Sequence, residues 1–234
     1  MRVGVLIGSA PMDFGRSGQL LEVEESWGQP SEPLIEYETG ESQCLVMRRH
    51  GTDASIAPHE INYRANIWQM VHHNVDCIVA THTVGGIDRN LAVGALVLPD
   101  NLIDYTWGRP STFDDYRRHI EFTYPYDSDL QAALVRVYPD IVSGGVYGCT
   151  QGPRLESAAE IQRMAQDGCT LVGMTGMPEA ALAREQDVRF VSVCLVVNPA
   201  AGIVPGSVDM AELRRTSEQG ARDFESLILR FCGA

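Results

Sequence analysis

Polar side chains able to bind or transfer a chemical group recur at the ends of apolar runs in this chain of 234 residues. Ser9 follows "RVGVLIG", Arg49-His50 follows "CLVMR", and Thr81-His82-Thr83 lies within "DCIVATHTVGG". Glu156 follows "CTQGPRL", Thr175 follows "LVGM", and Asn198 ends "VSVCLVV" with Pro199 directly behind it. An Arg fork joined by several hydroxyls suits a small dianion, because all of these groups donate to anionic oxygens. Taken alone, Asn198-Pro199 reads equally well as a turn that closes a core strand. A turn explains the whole set less well, since ligands of α/β sheets bind beyond the carboxyl ends of the strands.

The elements that must carry these residues alternate along the chain. Strand-like runs cover 2–8, 34–39, 44–49, 76–86, 145–152, 170–175 and 188–197, and a strand with its loop covers 95–106. The run at 34–39 is expected to pair with 44–49, and 76–86 to feed a glycine turn. Helical periodicity covers 62–73, 129–138, 156–168, 178–187 and 210–232, with Pro178 at a first helical position and Gly168 at a C-terminal cap. This alternation predicts one α/β domain spanning 1–234 around a largely parallel or mixed central sheet.

Composition narrows the partners. The net charge is −13 and no Lys/Arg-rich run is present, which argues against nucleic acid and anionic membranes as partners. One or two buried Arg still suffice to hold a phosphate on an acidic protein. The six cysteines stand in apolar runs without CxxC spacing, so they read as reduced core thiols and not as disulfide or zinc sites. No apolar run approaches the roughly 18 residues of a membrane helix. The opening "MRVGVLIGSA" runs straight into the first strand, and the expected compartment is the cytoplasm.

At "GCTQGPRLESAAEI" (148–161), "GMTGMPEAALARE" (173–185), "THTVGGI" (81–87), "RRHG" (48–51) and "PHEINYRANIW" (58–68) the chain resembles the trimeric purine nucleoside phosphorylase and methylthioadenosine phosphorylase family. The resemblance covers nearly the whole chain. It implies an α/β nucleoside-phosphorylase fold in one domain, with a mixed central sheet of barrel character flanked by helices. It implies reversible phosphorolysis of an N-glycosidic bond in a homotrimer, with inorganic phosphate as co-substrate and no cofactor or metal.

The same resemblance distributes roles. The phosphate subsite falls on Ser9, Arg49, His50, Thr81, Thr83 and Thr175. Met174 packs under the ribose, although a Met at a strand end is also common core filler. His119, in the aromatic-rich 105–126 segment, is the residue lent to the neighbouring subunit's site, and His59 reads equally as a site residue or a capping one. Asn198 and His50 are the catalytic pair. Glu156 and Asn198 match the 6-oxopurine branch: a carboxylate accepts from N1–H and a carboxamide donates to O6 or N7. The adenine branch has a small residue in place of that Glu, an Asp in place of Asn198, and a second Asp where Ala200 stands here.

Relatives that use ordinary nucleosides place a His after the Asn to bind the 5′-hydroxyl. All six histidines here precede residue 120, and the segment reads "AAGIVPGSVDMAEL", with Val204, Val208 and Met210 available for an apolar 5′ pocket. S-methyl-5′-thioinosine is therefore the implied substrate, yielding hypoxanthine and 5-methylthioribose 1-phosphate. Inosine or guanosine, methylthioadenosine, and a non-catalytic purine-binding role are the alternatives.

Overall fold

The computed structural model describes residues 1–14, 18–40, 42–109, 111–112 and 117–233. In chain order the elements are β1 (Arg2–Ile7), β2 (Gln19–Leu20), β3 (Ile35–Thr39), β4 (Ser42–Arg48), α1 (Tyr63–His72), β5 (Cys77–Gly86), β6 (Leu96–Leu98) and β7 (Asn101–Asp104). They continue with α2 (Ser128–Val137), β8 (Val142–Ser143), β9 (Val146–Cys149), α3 (Ala158–Gln166), β10 (Leu171–Gly173), α4 (Gly176–Glu185), β11 (Arg189–Pro199) and α5 (Met210–Cys232).

A parallel block β4-β1-β5-β11 forms the centre, so the carboxyl ends of four strands open on one edge. β3 extends this block as an antiparallel hairpin with β4, as expected. The sheet forks at β5. Its first half pairs with β1, its final glycines pair with β10 in antiparallel fashion, and β11 runs along its other side. From the fork, β10 leads to β9 and β7, and β11 leads to β6 and β8. Val84, Val97, Tyr147, Leu171, Cys194 and Val196 from these arms pack into one cluster, which is the interior of the barrel-like curl.

Alternation of side chains across the central strands explains the layering. Val3, Val5, Cys44, Val46, Cys77 and Val79 face α2 and α5, while Leu6, Leu45, Met47, Ile78 and Ala80 face α1 and α4. Each helix begins where a polar residue can satisfy its first amides. Asn62, Asp127 and Asp209 cap α1, α2 and α5, and Ser157 forms a reciprocal capping box with Glu160 on α3. α3 ends at Asp167, and Gly168 takes the left-handed conformation that follows a helix end (φ 95°). α4 is the exception: its backbone is kinked at Met177 (φ −111°, ψ 138°), and the Thr175 hydroxyl ahead of it makes no capping bond. No helix among the described residues is long and apolar enough to cross a membrane.

Three expectations need correction. The 95–106 run is two strands, β6 and β7, that belong to different arms of the fork. β5 does not end in a glycine turn but carries Gly85 and Gly86 as strand residues. A Cβ on Gly85 would lie 3.1 Å from Val172, and one on Gly86 3.1 Å from Val196, so the glycines admit neighbours from both arms. β11 continues past Val197 to Pro199, with a bulge between Val196 and Asn198. Bulges re-aim side chains at strand ends, and this one presents Asn198 at the open edge.

α5 covers the sheet with Gly220, Ala221, Phe224, Leu227, Ile228 and Phe231, spaced three or four apart. Phe224 is fully buried between α5 and the central strands. Phe224→Ala is expected to lower unfolding free energy by about 3–5 kcal/mol. Chemical denaturation measures this, and a loss below about 1 kcal/mol would mean that α5 is not part of the core.

Candidate functional site

The open edge of the parallel block holds a cavity of about 260 Å³. One end is polar and is built from strand ends. Gly8 and Ser9 follow β1, Arg49 and His50 follow β4, Thr83 lies on β5, and Thr175 follows β10. β10 runs antiparallel to β5, so Thr175 reaches the site from the opposite direction to the others. Ser9 Oγ and Thr83 Oγ1 share a hydrogen bond of 2.7 Å.

Arg49 underlies this end and is fully buried. Its Nε and Nη2 donate to the two carboxylate oxygens of Glu179 at 2.7 and 2.9 Å, and Nη1 donates to the Thr81 carbonyl at 2.5 Å. A bidentate pair of this kind supplies the counter-charge that burial of a guanidinium demands. Burial pushes the Glu179 carboxyl upward, and Arg49 and Arg109 pull it back. Arg49 borders the cavity while most of its donors serve the fold. The backbone of Gly8 passes so close that a Cβ there would lie 2.6 Å from the Thr81 oxygen and 2.9 Å from Arg49 Nη1.

Two histidines flank the anion-facing groups. His50 Nδ1 lies 2.8 Å from the Ile56 carbonyl. A carbonyl only accepts, so Nδ1 carries the proton and Nε2 is the free nitrogen. Burial first, and then Arg49, lower the pKa of His50 below 6.5, against the opposing Ile56 bond. His82 is fully buried, with Nδ1 2.8 Å from Thr175 Oγ1 and Nε2 3.2 Å from Ser192 Oγ. Burial, with Arg49 and His50 adding to it, holds His82 neutral well below the usual imidazole range.

The rest of the lining differs in character. Met174 lines the cavity, and Glu156 enters from the loop before α3, where Thr150 Oγ1 donates to its Oε1 at 2.6 Å. Asn198 also lines it, with its Nδ2 donating to the Pro199 carbonyl at 2.6 Å. Ala200, Ala201, Val208, Met210 and Leu213 add apolar lining.

Most of the residues singled out in the sequence thus meet in one cavity: Ser9, Arg49, His50, Thr83, Met174, Glu156, Thr175, Asn198, Ala200 and Val208. Thr81 does not. Its hydroxyl accepts from the Gly8 amide at 3.0 Å and donates to the Leu6 carbonyl at 3.3 Å, beneath the floor. Thr81 sits two residues deeper in the strand than Thr83, about 6–7 Å lower. His119 is exposed and is not part of its own chain's cavity, and neither is His59. Residues 110 and 113–116 of the 105–126 segment lie outside the described residues. Val204 is half exposed and does not line the cavity, whereas Leu213 does.

Sequence reasoning missed the supporting residues. Glu179 stood only inside a quoted motif, yet a buried Arg49 requires an acidic partner. Arg109 donates to the carbonyls of Met174 at 3.0 Å and Gln151 at 3.3 Å, and to that of Met177, and its guanidinium lies 5.1 Å from the Tyr63 ring centroid. It ties the Gln151 loop to the segment that carries Met174 and Thr175, and no local pattern announces it.

A family model described as "Phosphorylase superfamily" matches residues 2–232. The chain belongs to the phosphorylase superfamily. Among its superfamily relatives, a probable S-methyl-5′-thioinosine phosphorylase of Pseudomonas syringae pv. tomato is 40% identical over 224 residues, covering 92% of this chain and 91% of that one. A probable S-methyl-5′-thioinosine phosphorylase of Xylella fastidiosa (strain Temecula1) is 45% identical over 204 residues, covering 83% and 82%. The phosphorylase fold also matches a solved methylthioadenosine phosphorylase from Schistosoma mansoni in complex with adenine. That match has a TM-score of 0.91 and 23% identity, over 99% of this chain and 91% of that chain.

The two lowered histidines give this phosphorylase a pH signature. Each folded-state value lies below 6.5, so the neutral forms stabilise the fold fully above pH 6.5, and that contribution is lost as pH falls through the folded values. Denaturation midpoints measured from about pH 7.5 down to about pH 5 should therefore fall more steeply for the wild type than for His82→Asn. Identical slopes would mean that His82 is not held neutral by the fold.

Proposed function

We propose that this chain catalyses the phosphorolysis of S-methyl-5′-thioinosine, giving hypoxanthine and 5-methylthioribose 1-phosphate. The observation that carries the reading is that one cavity is lined jointly by hydroxyl, Arg and His donors, by Glu156 and Asn198, and by the apolar side chains of Val208, Met210 and Leu213. The names of the two relatives point the same way.

The transition state of such a reaction resembles an oxocarbenium ion between an incoming phosphate and a departing purine anion. The enzyme's task is chiefly placement and charge stabilisation. Ser9, Thr83 and Thr175 hydroxyls, with Arg49 and the free Nε2 of His50, receive the phosphate. A bound dianion favours the protonated form of His50, reversing the effect of burial. Met174 lies under the sugar. Asn198 donates to O6 or N7 as negative charge builds on the leaving base, and Glu156 accepts from N1–H. Adenine offers an acceptor at N1, so it faces the Glu156 carboxylate without a hydrogen. Buried polar mismatches of this kind discriminate by roughly 10⁴-fold or more.

At the 5′ position, Val208, Met210 and Leu213 offer apolar contact and no donor from a histidine. The methylthio group should be favoured over a hydroxyl by about 10- to 200-fold, the usual range for apolar pockets. The working form is a cytoplasmic homotrimer of single-domain chains, each lending the His119 segment to its neighbour's site.

The base-reading pair is tested by substitution. Asn198→Asp should shift preference toward 6-aminopurines, because a carboxylate repels O6 and accepts from an exocyclic amine. Glu156→Ser should add to the shift non-additively, since both side chains touch one base. Each lost hydrogen bond to the base should cost about 1–3 kcal/mol in transition-state stabilisation. The measurement is kcat/KM for methylthioinosine over methylthioadenosine in wild type, both single variants and the double variant. A ratio that stays constant across all four would contradict the base assignment.

A further inference from the structure

Among the buried residues bordering the cavity, His82 commits its ring to the side chains around it. Both of its ring nitrogens meet hydroxyls: Thr175 Oγ1 at 2.8 Å on Nδ1 and Ser192 Oγ at 3.2 Å on Nε2. A neutral imidazole has one donor and one acceptor, whereas each hydroxyl can act either way. The row therefore has two possible proton orders. In one, Ser192 donates to Nε2, Nδ1–H donates to Thr175, and the Thr175 hydroxyl hydrogen is left to point into the cavity. In the other, the Thr175 hydrogen is spent on Nδ1, and Thr175 shows only lone pairs to whatever the cavity holds.

We propose that His82 is a positioning residue: fixed by Ser192 as the Nδ1–H tautomer, it donates to Thr175 and so aims the Thr175 hydroxyl hydrogen at the bound phosphate. This rests on the phosphate reading given above.

One observation selects this order. The Tyr126 hydroxyl is buried beside Ser192 and has no well-formed partner of its own. Its hydrogen is best placed toward Ser192 Oγ, which then sends its own hydrogen on to His82 Nε2. In the reverse order, Ser192 accepts from Nε2–H, and one hydroxyl hydrogen, either its own or that of Tyr126, is left without an acceptor among these groups. Stranding a buried donor is unfavourable. Thr175 is separated from the regular turns of α4 by a kink at Met177 (φ −111°, ψ 138°) and makes no bond to a helix amide, so its hydroxyl is available to the imidazole and to the cavity. The ring itself is held against rotation by the edge-on Tyr147 ring, at 5.5 Å between centroids.

The experiment compares KM for phosphate, KM for nucleoside and kcat in wild type, Thr175→Val, His82→Leu, His82→Asn and Ser192→Ala. Thr175→Val should raise phosphate KM by about 10- to 100-fold, the worth of one hydrogen bond to a charged group. If it does not, the phosphate assignment of Thr175 fails, whatever His82 does. Given that rise, His82→Leu should raise phosphate KM by a similar factor and leave nucleoside KM within about threefold. His82→Asn, which keeps an N–H toward Thr175, should restore most of the loss. Ser192→Ala should fall between these and wild type. The double variant His82→Leu/Thr175→Val should be no worse than Thr175→Val alone.

Equal effects on both KM values, or no effect of His82→Leu beside a large effect of Thr175→Val, would overturn the relay. Should His82→Leu not fold, ¹⁵N NMR of the wild-type protein decides. Protonated Nδ1 and bare Nε2 in the presence of inorganic phosphate support the proposal, and protonated Nε2 overturns it.

Discussion

The burial of one guanidinium constrains everything around the open edge of the sheet. Arg49 has no solvent contact, so its charge must be met inside the protein, and Glu179 meets it with both carboxylate oxygens. Breaking such a pair from one side typically costs about 3–5 kcal/mol, because the other charge is left buried alone. Glu179 belongs to α4, and the remaining Arg49 donors reach the carbonyls of Thr81 on β5 and Leu6 on β1. A single side chain following β4 thus ties β4, β5 and β1 to one helix, and the cavity opens beside it.

From that platform the cavity is graded. Hydroxyls and the free nitrogen of His50 gather over Arg49, where an anion gains most from positive charge and aligned donors. Glu156 and Asn198 come from different elements, one from the loop after Gln151 that Arg109 secures and one from the bulge in β11. The apolar end is closed by Val208, Met210 and Leu213, at and just ahead of the start of α5. On the proposed reading, phosphate, base and 5′ group would each be held by a different part of the fork in the sheet.

How far this was legible in the sequence depends on the range of the interaction. The bounds of α5, 210–232, coincide with the periodic stretch, and the β3–β4 hairpin follows from adjacent apolar runs, since both are local patterns. β2 and β8 were not foreseen, because two-residue strands leave no periodic signal. The run 76–86 matches β5 in extent, but the reason Gly85 and Gly86 stay in the ladder was hidden: glycine reads as a turn unless the neighbours that need its missing side chain are known. At the site, Ser9, His50, Thr83, Glu156, Thr175 and Asn198, picked out by strand-end polarity, all line the cavity. Thr81, picked out with them, turns its hydroxyl to Gly8 and Leu6 instead, at a depth in the strand that no pattern reports. The partners Glu179 and Ser192 lie more than a hundred residues from the groups they serve, 130 from Arg49 and 110 from His82. Only the fold brings them together.

The central claim is that the cavity joins a phosphate to a 6-oxopurine nucleoside with an apolar 5′ group. The most direct measurement is product analysis after incubating the wild-type protein with S-methyl-5′-thioinosine, with and without inorganic phosphate. The account predicts hypoxanthine and 5-methylthioribose 1-phosphate in equal amounts, formed only when phosphate is present. Release of hypoxanthine without phosphate, or no release in its presence, would contradict it.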